Sequence, residues 1–539
     1  MSQNFNMTDY DKEYSEFKWD IPEKFNFAGD VIDKWAKDPN KLAIQWVDDD
    51  GNEKTRTFTE LSSISKKVCN AFTRMGIKRG DVLIIMLGRE VEWWEIFTAC
   101  VRMGVVISPG TTQLTSKDIK YRMNYSKSVC FITDKDNAPK LEEVESDCEL
   151  LRTKIIIGSK RDGWLNYDDE IAKENDSFET ADTRHDEESM VYFTSGTTGN
   201  PKMTLHTHSY GLAHQTTGKY WLDHKPEDLH WNVSDNGWAK AAWSSYFGPW
   251  NMGAALFIHC SPVFTPEKTL ELLQKYPITT MCGAPTIYRL LVLQDLSKYS
   301  FPELRHCVGA GEPLNPEVIE IWKKATDTII RDGYGQTESV LLCGSYLCIE
   351  PRFGSMGKPS PGVDLQIIDN DGNICPPDTE GDIAINVKVK PAGLFKEYWN
   401  EPEKTASCYN GDWYLTGDRA TRDSDGYFWF VGRSDDVILS SGYRIGPFEV
   451  ESALIEHESV AESAVVSSPD EKRGEIVKAF IVLAPGFTAG DGLKKEIQDH
   501  VKKVTAPYKY PRAIDFVTEL PKTVSGKIRR VELRDAEWK

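Results

Sequence analysis

The sequence predicts an α/β protein: a large amino-terminal domain of two α/β subdomains plus a β-rich subdomain, then a small α+β carboxy-terminal domain. Three observations predict it. Short apolar runs alternate with helical patterns, as where Asp81–Leu87 (DVLIIML) precedes Val91–Met103. A buried strand leading into a helix is the unit of a helix-covered parallel sheet. From Gly354 to Phe430 that rhythm gives way to strand runs broken by Asp-Gly turns. Finally, 539 residues exceed what one hydrophobic core supports.

Over residues 65–105 strand and helix patterns alternate, with Val91–Met103 reading as an amphipathic helix. Ser159–Ser189 is rich in Asp, Glu, Lys and Asn and reads as a solvated connector. The βα rhythm returns from Met190 to about Gly344. In the β-rich part the strand runs are Val363–Ile368, Gly381–Val389 and Tyr427–Val431. Asp371-Gly372 and Asp425-Gly426 are hairpin signals, since glycine takes positive φ at little cost. Residues 435–539 then mix helix and strand over the length of a small domain. The expected boundary lies at Asp435, with residues 1–434 forming the large domain.

Composition narrows the function. The formal net charge is -19, which argues against nucleic acid as a general partner. No run reaches the roughly 18 apolar residues of a membrane span. The start, MSQNFNMTDYDKEYSEF, is polar and mixed in charge. It shows neither the apolar core of a signal peptide nor an Arg-rich leader, which predicts a cytoplasmic protein. The 11 cysteines are scattered without a CxxC pair, the pattern of reduced thiols and not of a disulfide framework or zinc site.

The stretch Tyr192–Lys202 carries the strongest signal. After an apolar strand it packs Thr194, Ser195, Thr197 and Thr198 with Gly196, Gly199 and Lys202. Glycines let backbone N–H groups approach a ligand, hydroxyls donate to phosphate oxygens, and the lysine offsets their charge. The order is not GxxxxGK[ST], so this is not the Walker loop. A flexible Gly/Thr surface loop would share the composition, but Pro201-Lys202 closes the stretch on a fixed pattern. TSGTTGNPK resembles the signature loop of the adenylate-forming superfamily: acyl-CoA synthetases, luciferases and peptide-synthetase adenylation domains. Met203 stands where much of that family has Gly, and in this it resembles the medium-chain acyl-CoA synthetases.

Other motifs extend the resemblance from about residue 20 to the end. Asp332-Gly-Tyr-Gly-Gln-Thr-Glu338 is similar to the second core motif. The likeness implies Tyr334 near the adenine, Thr337 donating to the α-phosphate and Glu338 holding Mg²⁺, with Asp332, Gly333, Gly335 and Gln336 completing the ATP-binding stretch. A carboxylate beside phosphate oxygens suits Mg²⁺ on physical grounds as well. Alone, the stretch equally fits a Gly-rich turn with a surface glutamate. Gly309-Ala-Gly-Glu-Pro313 resembles the adenine-facing turn and adds Gly309, Gly311 and Glu312. Tyr414-Leu-Thr-Gly-Asp418 resembles the ribose site, where Asp418 would accept both hydroxyls and Arg433 would add a contact. By itself Asp418 also fits a turn residue after glycine.

Ser441-Gly-Tyr-Arg-Ile-Gly446 resembles the segment that serves the two half-reactions in turn. Ser441, Gly442 and Tyr443 would line the path of CoA, and Arg444 would meet phosphate at the acyl-adenylate. Asp435 matches the family hinge and equally fits a solvated turn. Leu520-Pro-Lys-Thr-Val-Ser-Gly-Lys527 resembles the catalytic-lysine motif, with Lys527 bridging the substrate carboxylate and the α-phosphate. The catalytic set is then Lys527, Thr337, Glu338 and Lys202. Because Lys527 lies far in sequence from the phosphate loop, the small domain is expected to be mobile.

Ser234-Asp-Asn-Gly-Trp-Ala-Lys-Ala-Ala-Trp243 resembles medium-chain acyl-CoA synthetases. The resemblance puts Trp238, Cys282, Gly283, Gly309, Tyr334 and Thr337 at the acyl pocket, although Trp238 fits plain core packing as well. Arg473, Lys502, Tyr510, Pro511 and Arg512 match where those enzymes hold CoA, and Gln113 adds a further contact. Lys502, Lys503 and Lys509 equally fit a solvated basic face. The implied partners are a medium-chain, branched or aromatic carboxylic acid, ATP with Mg²⁺, and CoA. An adenylation enzyme serving a carrier protein would share most motifs, but the match around Gly442, Arg473 and Arg512 favours CoA. A luciferase-like oxidoreductase shares the fold, and fold alone does not assign chemistry. The intact set of Lys202, Thr337, Glu338, Asp418, Arg433 and Lys527 speaks against an inert binding protein.

Overall fold

A computed structural model describes residues 5–194, 201–434, 436–440, 443–470, 473–522 and 528–539, with the Arg444 side chain outside it. Among these residues the strands form four sheets, and the chain is the expected α/β protein. In the eight-stranded sheet, Val82–Met86 lies between Val106–Pro109 and Cys130–Thr133, all parallel. All five of its residues are buried, which is why it reads as an unbroken apolar run. Towards one edge this sheet turns antiparallel: Glu188–Thr194 pairs with Lys202–Thr207, which pairs with Glu397–Tyr398.

The nine-stranded sheet has a parallel centre of Leu42–Asp48, Ala255–Cys260, Leu229–Asn232, Thr280–Gly283, His306–Ala310 and Ile330–Gly335. The third sheet is the expected β-rich part, built on Leu365–Ile368, Gly381–Asn386, Trp413–Arg422 and Phe428–Arg433. Its strands run antiparallel, and Gly372 and Gly426 take φ of +84° and +86°. The fourth sheet gathers Ile438–Ser440, Tyr443–Ile445, Val460–Asp470, Gly474–Leu483 and Ala513–Phe516. Helices Pro447–Ile455 and Asp491–Val504 close over its own core of Ile438, Val450, Leu454, Ile481, Ile497 and Val501. Asp435, the expected hinge, lies outside the described residues. All the cysteines are free. Among the described residues no helix is long and apolar enough to cross a membrane.

Two expectations change. The helix Val91–Met103 has the expected bounds but is not amphipathic, since all of it except Glu92 is buried. One side meets the helix Phe58–Arg74. Another meets the aromatic segment Trp243–Phe247, where Trp94 Nε1 donates to the Ser245 carbonyl at 2.6 Å and Thr98 bonds the Tyr246 hydroxyl at 2.9 Å. Its inward Glu95 carboxylate accepts from Arg56 and the Tyr167 hydroxyl, each at 2.9 Å, as a buried charge requires. The supposed solvated connector is likewise tied down. Tyr167 sits in a short helix, Tyr167–Ile171, and Thr180 and Thr183 bond Arg102 and Asn26. Its polar residues serve long-range pairing as well as hydration.

Candidate active site

The site lies at the carboxyl ends of parallel strands, where open α/β sheets bind ligands. Gly283, Gly309 and Asp332 are lateral partners across three adjacent strands of the nine-stranded sheet. Lys240 Nζ ties two of these ends together, donating to the Gly283 carbonyl at 2.7 Å and the Ala310 carbonyl at 2.8 Å. Gly311 leaves the strand at φ +106°, a conformation that favours glycine. Glu312 is anchored by Arg289 Nη2 at 3.0 Å and the Thr286 hydroxyl at 3.2 Å. These contacts pin the Gly309–Pro313 turn to the helix Pro285–Val292. Asp332 is buried and accepts the Gly333 N–H at 2.8 Å. Burial pushes its carboxyl up to about 7.

Beyond Asp332 the chain meets the third sheet. The Tyr334 hydroxyl donates to Asp418 Oδ2 at 2.6 Å, and Gln336 Nε2 donates to the same oxygen at 2.7 Å and to the Thr416 carbonyl at 2.8 Å. Burial, reinforced by the Asp418 charge, drives the Tyr334 phenol far above its usual range, so it stays a donor. Arg433 is the cross-strand partner of Asp418, with Nε 3.8 Å from Oδ1. The expected ribose pair and Tyr334 therefore stand together.

A second cluster forms where the two large sheets approach each other. Thr194 and Lys202 are partners across the antiparallel pair. Lys202 Nζ lies 5.0 Å from the centre of the Tyr398 ring, and the Tyr398 hydroxyl donates to Glu338 Oε1 at 2.7 Å. The Thr337 carbonyl accepts from His206 Nε2 at 2.7 Å. Burial pushes that imidazole down to about 3, so it is neutral. Tyr398 and Lys240 were missed by sequence reasoning. Tyr398 follows no motif, and its only signal is membership of an apolar pair, Tyr398-Trp399, in a strand that proves to flank Lys202. Ser195, Gly196, Thr197, Thr198, Gly199 and Lys527 lie outside the described residues. Among the described residues no cluster of three or more His, Cys, Asp or Glu could hold a metal ion.

The Ser234–Trp243 stretch is seated against the Gly110–Gln113 turn. A Cβ on Gly237 would fall 2.2 Å from the Thr111 nitrogen, so only glycine permits this approach. Asn236 Nδ2 donates to the Gly88 carbonyl at 3.1 Å, and the Thr111 hydroxyl to Asp235 Oδ2 at 3.3 Å. Gln113 thus lies two residues from the Thr111 that meets the Ser234–Trp243 stretch. Trp238 immediately precedes the helix Ala239–Ala242, and Cys282 is fully buried at its strand end. The space beside Gly333 and Gly335 is filled by Trp221 and Trp243, so these two glycines make room for tryptophan.

In the fourth sheet Lys502 Nζ and the Arg512 guanidinium lie 4.3 and 4.8 Å from the Tyr510 ring centre, and Arg512 Nη1 donates to the Tyr510 hydroxyl at 2.8 Å. The Pro511 carbonyl accepts from Gln498 at 2.9 Å. A cavity of about 530 Å³ opens beside Lys502 and Arg512. Of the basic face, Lys502 pairs with Asp499 and Lys509 with Glu449. Tyr443 is exposed and stacks on Tyr508 at 4.2 Å. The Arg473 N–H bonds Asp470 at 2.9 Å. Ser441, Gly442 and the Arg444 side chain lie outside the described residues.

The AMP-binding enzyme family model matches residues 32–399, and the AMP-binding enzyme C-terminal domain model matches residues 449–527. The mitochondrial acyl-coenzyme A synthetase ACSM3 of Rattus norvegicus is 54% identical over 99% of this chain and 94% of its own length. The mitochondrial acyl-coenzyme A synthetase ACSM4 of Homo sapiens is 49% identical, over 96% and 92%. Among solved structures, the anthranilate CoA ligase AuaEII in complex with anthranoyl-AMP superposes with a TM-score of 0.89 at 31% identity, covering 96% of this chain and 98% of that one. The Brucella canis acyl-CoA synthetase gives 0.77 at 33% identity, covering 99% of each. These relatives correct one expectation. ACSM3 and ACSM4 are named mitochondrial, which conflicts with the cytoplasmic location inferred from a polar amino terminus. A compartment is set by address signals that receptors read, and the composition of a few residues is a poor guide to it.

Proposed function

The chain belongs to the AMP-binding enzyme family, and on that premise we propose that it activates a medium-chain, branched-chain or aromatic acid. It is an AMP-forming acyl-CoA synthetase, an acid–thiol ligase whose substrates are a carboxylic acid, ATP and CoA, with Mg²⁺ as cofactor. The observation that carries the residue assignment is the double anchoring of Asp332–Glu338. One end reaches Asp418 through Tyr334 and Gln336, and the other reaches Lys202 through Glu338 and Tyr398.

The reaction runs in two displacements. A carboxylate oxygen attacks the α-phosphorus, and the bond to pyrophosphate breaks. The CoA sulfur then attacks the acyl carbon, and AMP leaves. In our reading Asp418 accepts the ribose hydroxyls, with its Oδ2 oxygen oriented by Tyr334 and Gln336. Lys202 and Thr337 meet phosphate oxygens, with the hydroxyls and glycines of residues 194–199. Bound at Glu338, Mg²⁺ would neutralise phosphate charge and leave the α-phosphorus open to an anionic nucleophile. Lys527 stabilises charge in the adenylation transition state. Residues 435–539 act as a lid turning about Asp435: they bring Lys527 in for the first step, then withdraw it so that Ser441–Arg444, Arg473 and the Lys502, Tyr510, Arg512 group serve CoA. Trp238, Cys282, Gly283 and Gly309 border the acyl group, where a tryptophan supplies apolar area with few rotors. The neighbour named as an anthranilate ligase supports the aromatic arm of this preference.

The test is a panel running from acetate to decanoate with isobutyrate, 2-methylbutyrate and benzoate. AMP release is followed with CoA present, and acid-dependent ATP–pyrophosphate exchange without it. Acetate as the best substrate would refute the proposed preference. Exchange that does not depend on any acid would refute the adenylation step.

A further inference from the structure

One helix outside every motif touches the neighbours of three site residues. Ser116–Ser126 starts at a capping box in which Asp118 accepts from the Thr115 backbone at 2.9 Å and its hydroxyl at 2.7 Å. The Tyr121 hydroxyl donates to the Pro201 carbonyl at 3.1 Å, next to Lys202. Tyr125 donates to the Trp399 carbonyl at 3.0 Å and to Glu401 at 2.9 Å, next to Tyr398. Between them the Arg122 guanidinium lies 4.6 Å from the centre of the Phe193 ring, next to Thr194.

Arg122 is only 7% exposed. Among the described residues its guanidinium makes no ion pair, and its Nε has no hydrogen-bond partner. The helical neighbour that could have paired with it, Asp118, is engaged in the cap. Burial accordingly pushes Arg122 down to about 10. An unpaired buried cation is costly, and an apolar side chain of like volume would pack there without that cost. The charge is retained on the ring of the residue that leads into the hydroxyl-rich stretch. A cation held there, close behind Thr194 and Lys202, orders the strand ends and adds positive potential where phosphate charge would gather.

We propose that Arg122 is a positioning residue for ATP: stacked on Phe193, and seconded by Tyr121 on Pro201, it sets the strand ends that carry Thr194 and Lys202. The proposal rests on the ATP-dependent reading above but is tested by nucleotide binding alone. Calorimetry on the full chain compares the parent with Arg122→Met, Arg122→Lys and Tyr121→Phe, alongside thermal unfolding. Arg122→Met should weaken ATP binding about tenfold, with Arg122→Lys recovering most of it. Carboxylic acid and CoA affinities should stay within about twofold. Unchanged ATP affinity in Arg122→Met, or equal losses for ATP, acid and CoA, overturns the proposal. If Arg122→Met does not fold, Tyr121→Phe decides, because it removes only the hydroxyl on Pro201: weaker ATP binding supports the role, and unchanged binding overturns it. A parent protein that binds ATP without acid-dependent exchange would sink the proposed function and leave this test valid.

Discussion

The Tyr334 phenol and the Asp418 carboxylate meet at 2.6 Å, joining the end of a strand in the nine-stranded sheet to the third sheet. Gln336 donates to the same Asp418 oxygen, so Oδ2 is oriented before any ligand arrives. Replacing Asp418 with Asn removes the charge and turns one acceptor into a donor. The KM for ATP in pyrophosphate exchange should rise about 10–100-fold, the worth of charge-assisted hydrogen bonds. Tyr334→Phe should raise it less, because Gln336 remains. A fall in kcat with unchanged KM in Asp418→Asn would contradict the ribose role.

Glu338 has one oxygen engaged by Tyr398. Glu338→Gln should raise the Mg²⁺ concentration needed for half-maximal exchange by about tenfold or more, since a neutral amide is a poor ligand for a hard cation. Tyr398→Phe should shift the same titration much less. Superimposable Mg²⁺ curves for Glu338→Gln and the parent would remove the metal role from Glu338.

Lys527→Ala should lower acid-dependent pyrophosphate exchange by about 10²–10³. It should largely spare thioester formation from supplied acyl-adenylate, because that step does not need the first transition state. Equal loss in both assays refutes the assignment.

Asp332 gives a pH signature. Burial raises its carboxyl from 3.8 to about 7, against opposing hydrogen bonds from Gly333 and Leu314 and the charge of Lys240. The folded chain therefore keeps a proton there that the unfolded chain releases. The stability tied to that proton is present below about pH 4 and is lost as pH rises to about 7. Asp332→Asn, isosteric with the protonated acid, should gain stability relative to the parent as pH goes from about 5 to about 8. Thermal midpoints of both proteins at the two pH values read this out, and a constant difference between them counts against the burial argument.

Gly237→Ala would drive a Cβ into the Thr111 backbone nitrogen. The expected cost is about 1–3 kcal/mol, as for overpacking elsewhere, and it should show as a lower thermal midpoint with a raised KM for the acid. A variant as stable as the parent would mean that the turn moves aside freely.

Contiguous features were legible. Thr194 and Lys202, or Tyr334 and Glu338, raise the expectation of a phosphate site because hydroxyl, glycine and charge fall close together in the chain. Tyr398 announced nothing, since its role arises when Glu397–Tyr398 adds to the edge of Lys202–Thr207. The bounds of the helix Val91–Met103 were legible from its periodicity. Its complete burial was not, because Tyr246 and Phe247 reach it from a distant segment.

The sequence by itself determined the alternation of strand and helix and a short buried strand, read over Asp81–Leu87 and formed over Val82–Met86. These follow from backbone geometry and from groups a few residues apart. Only the tertiary structure decided that Tyr334 serves Asp418, that Tyr398 links Lys202 to Glu338, that burial pushes the Asp332 carboxyl up and that Arg122 is buried against the Phe193 ring. Each of those depends on which surfaces meet when the sheets pack, and burial, not residue type, then sets the strength of every charge and hydrogen bond.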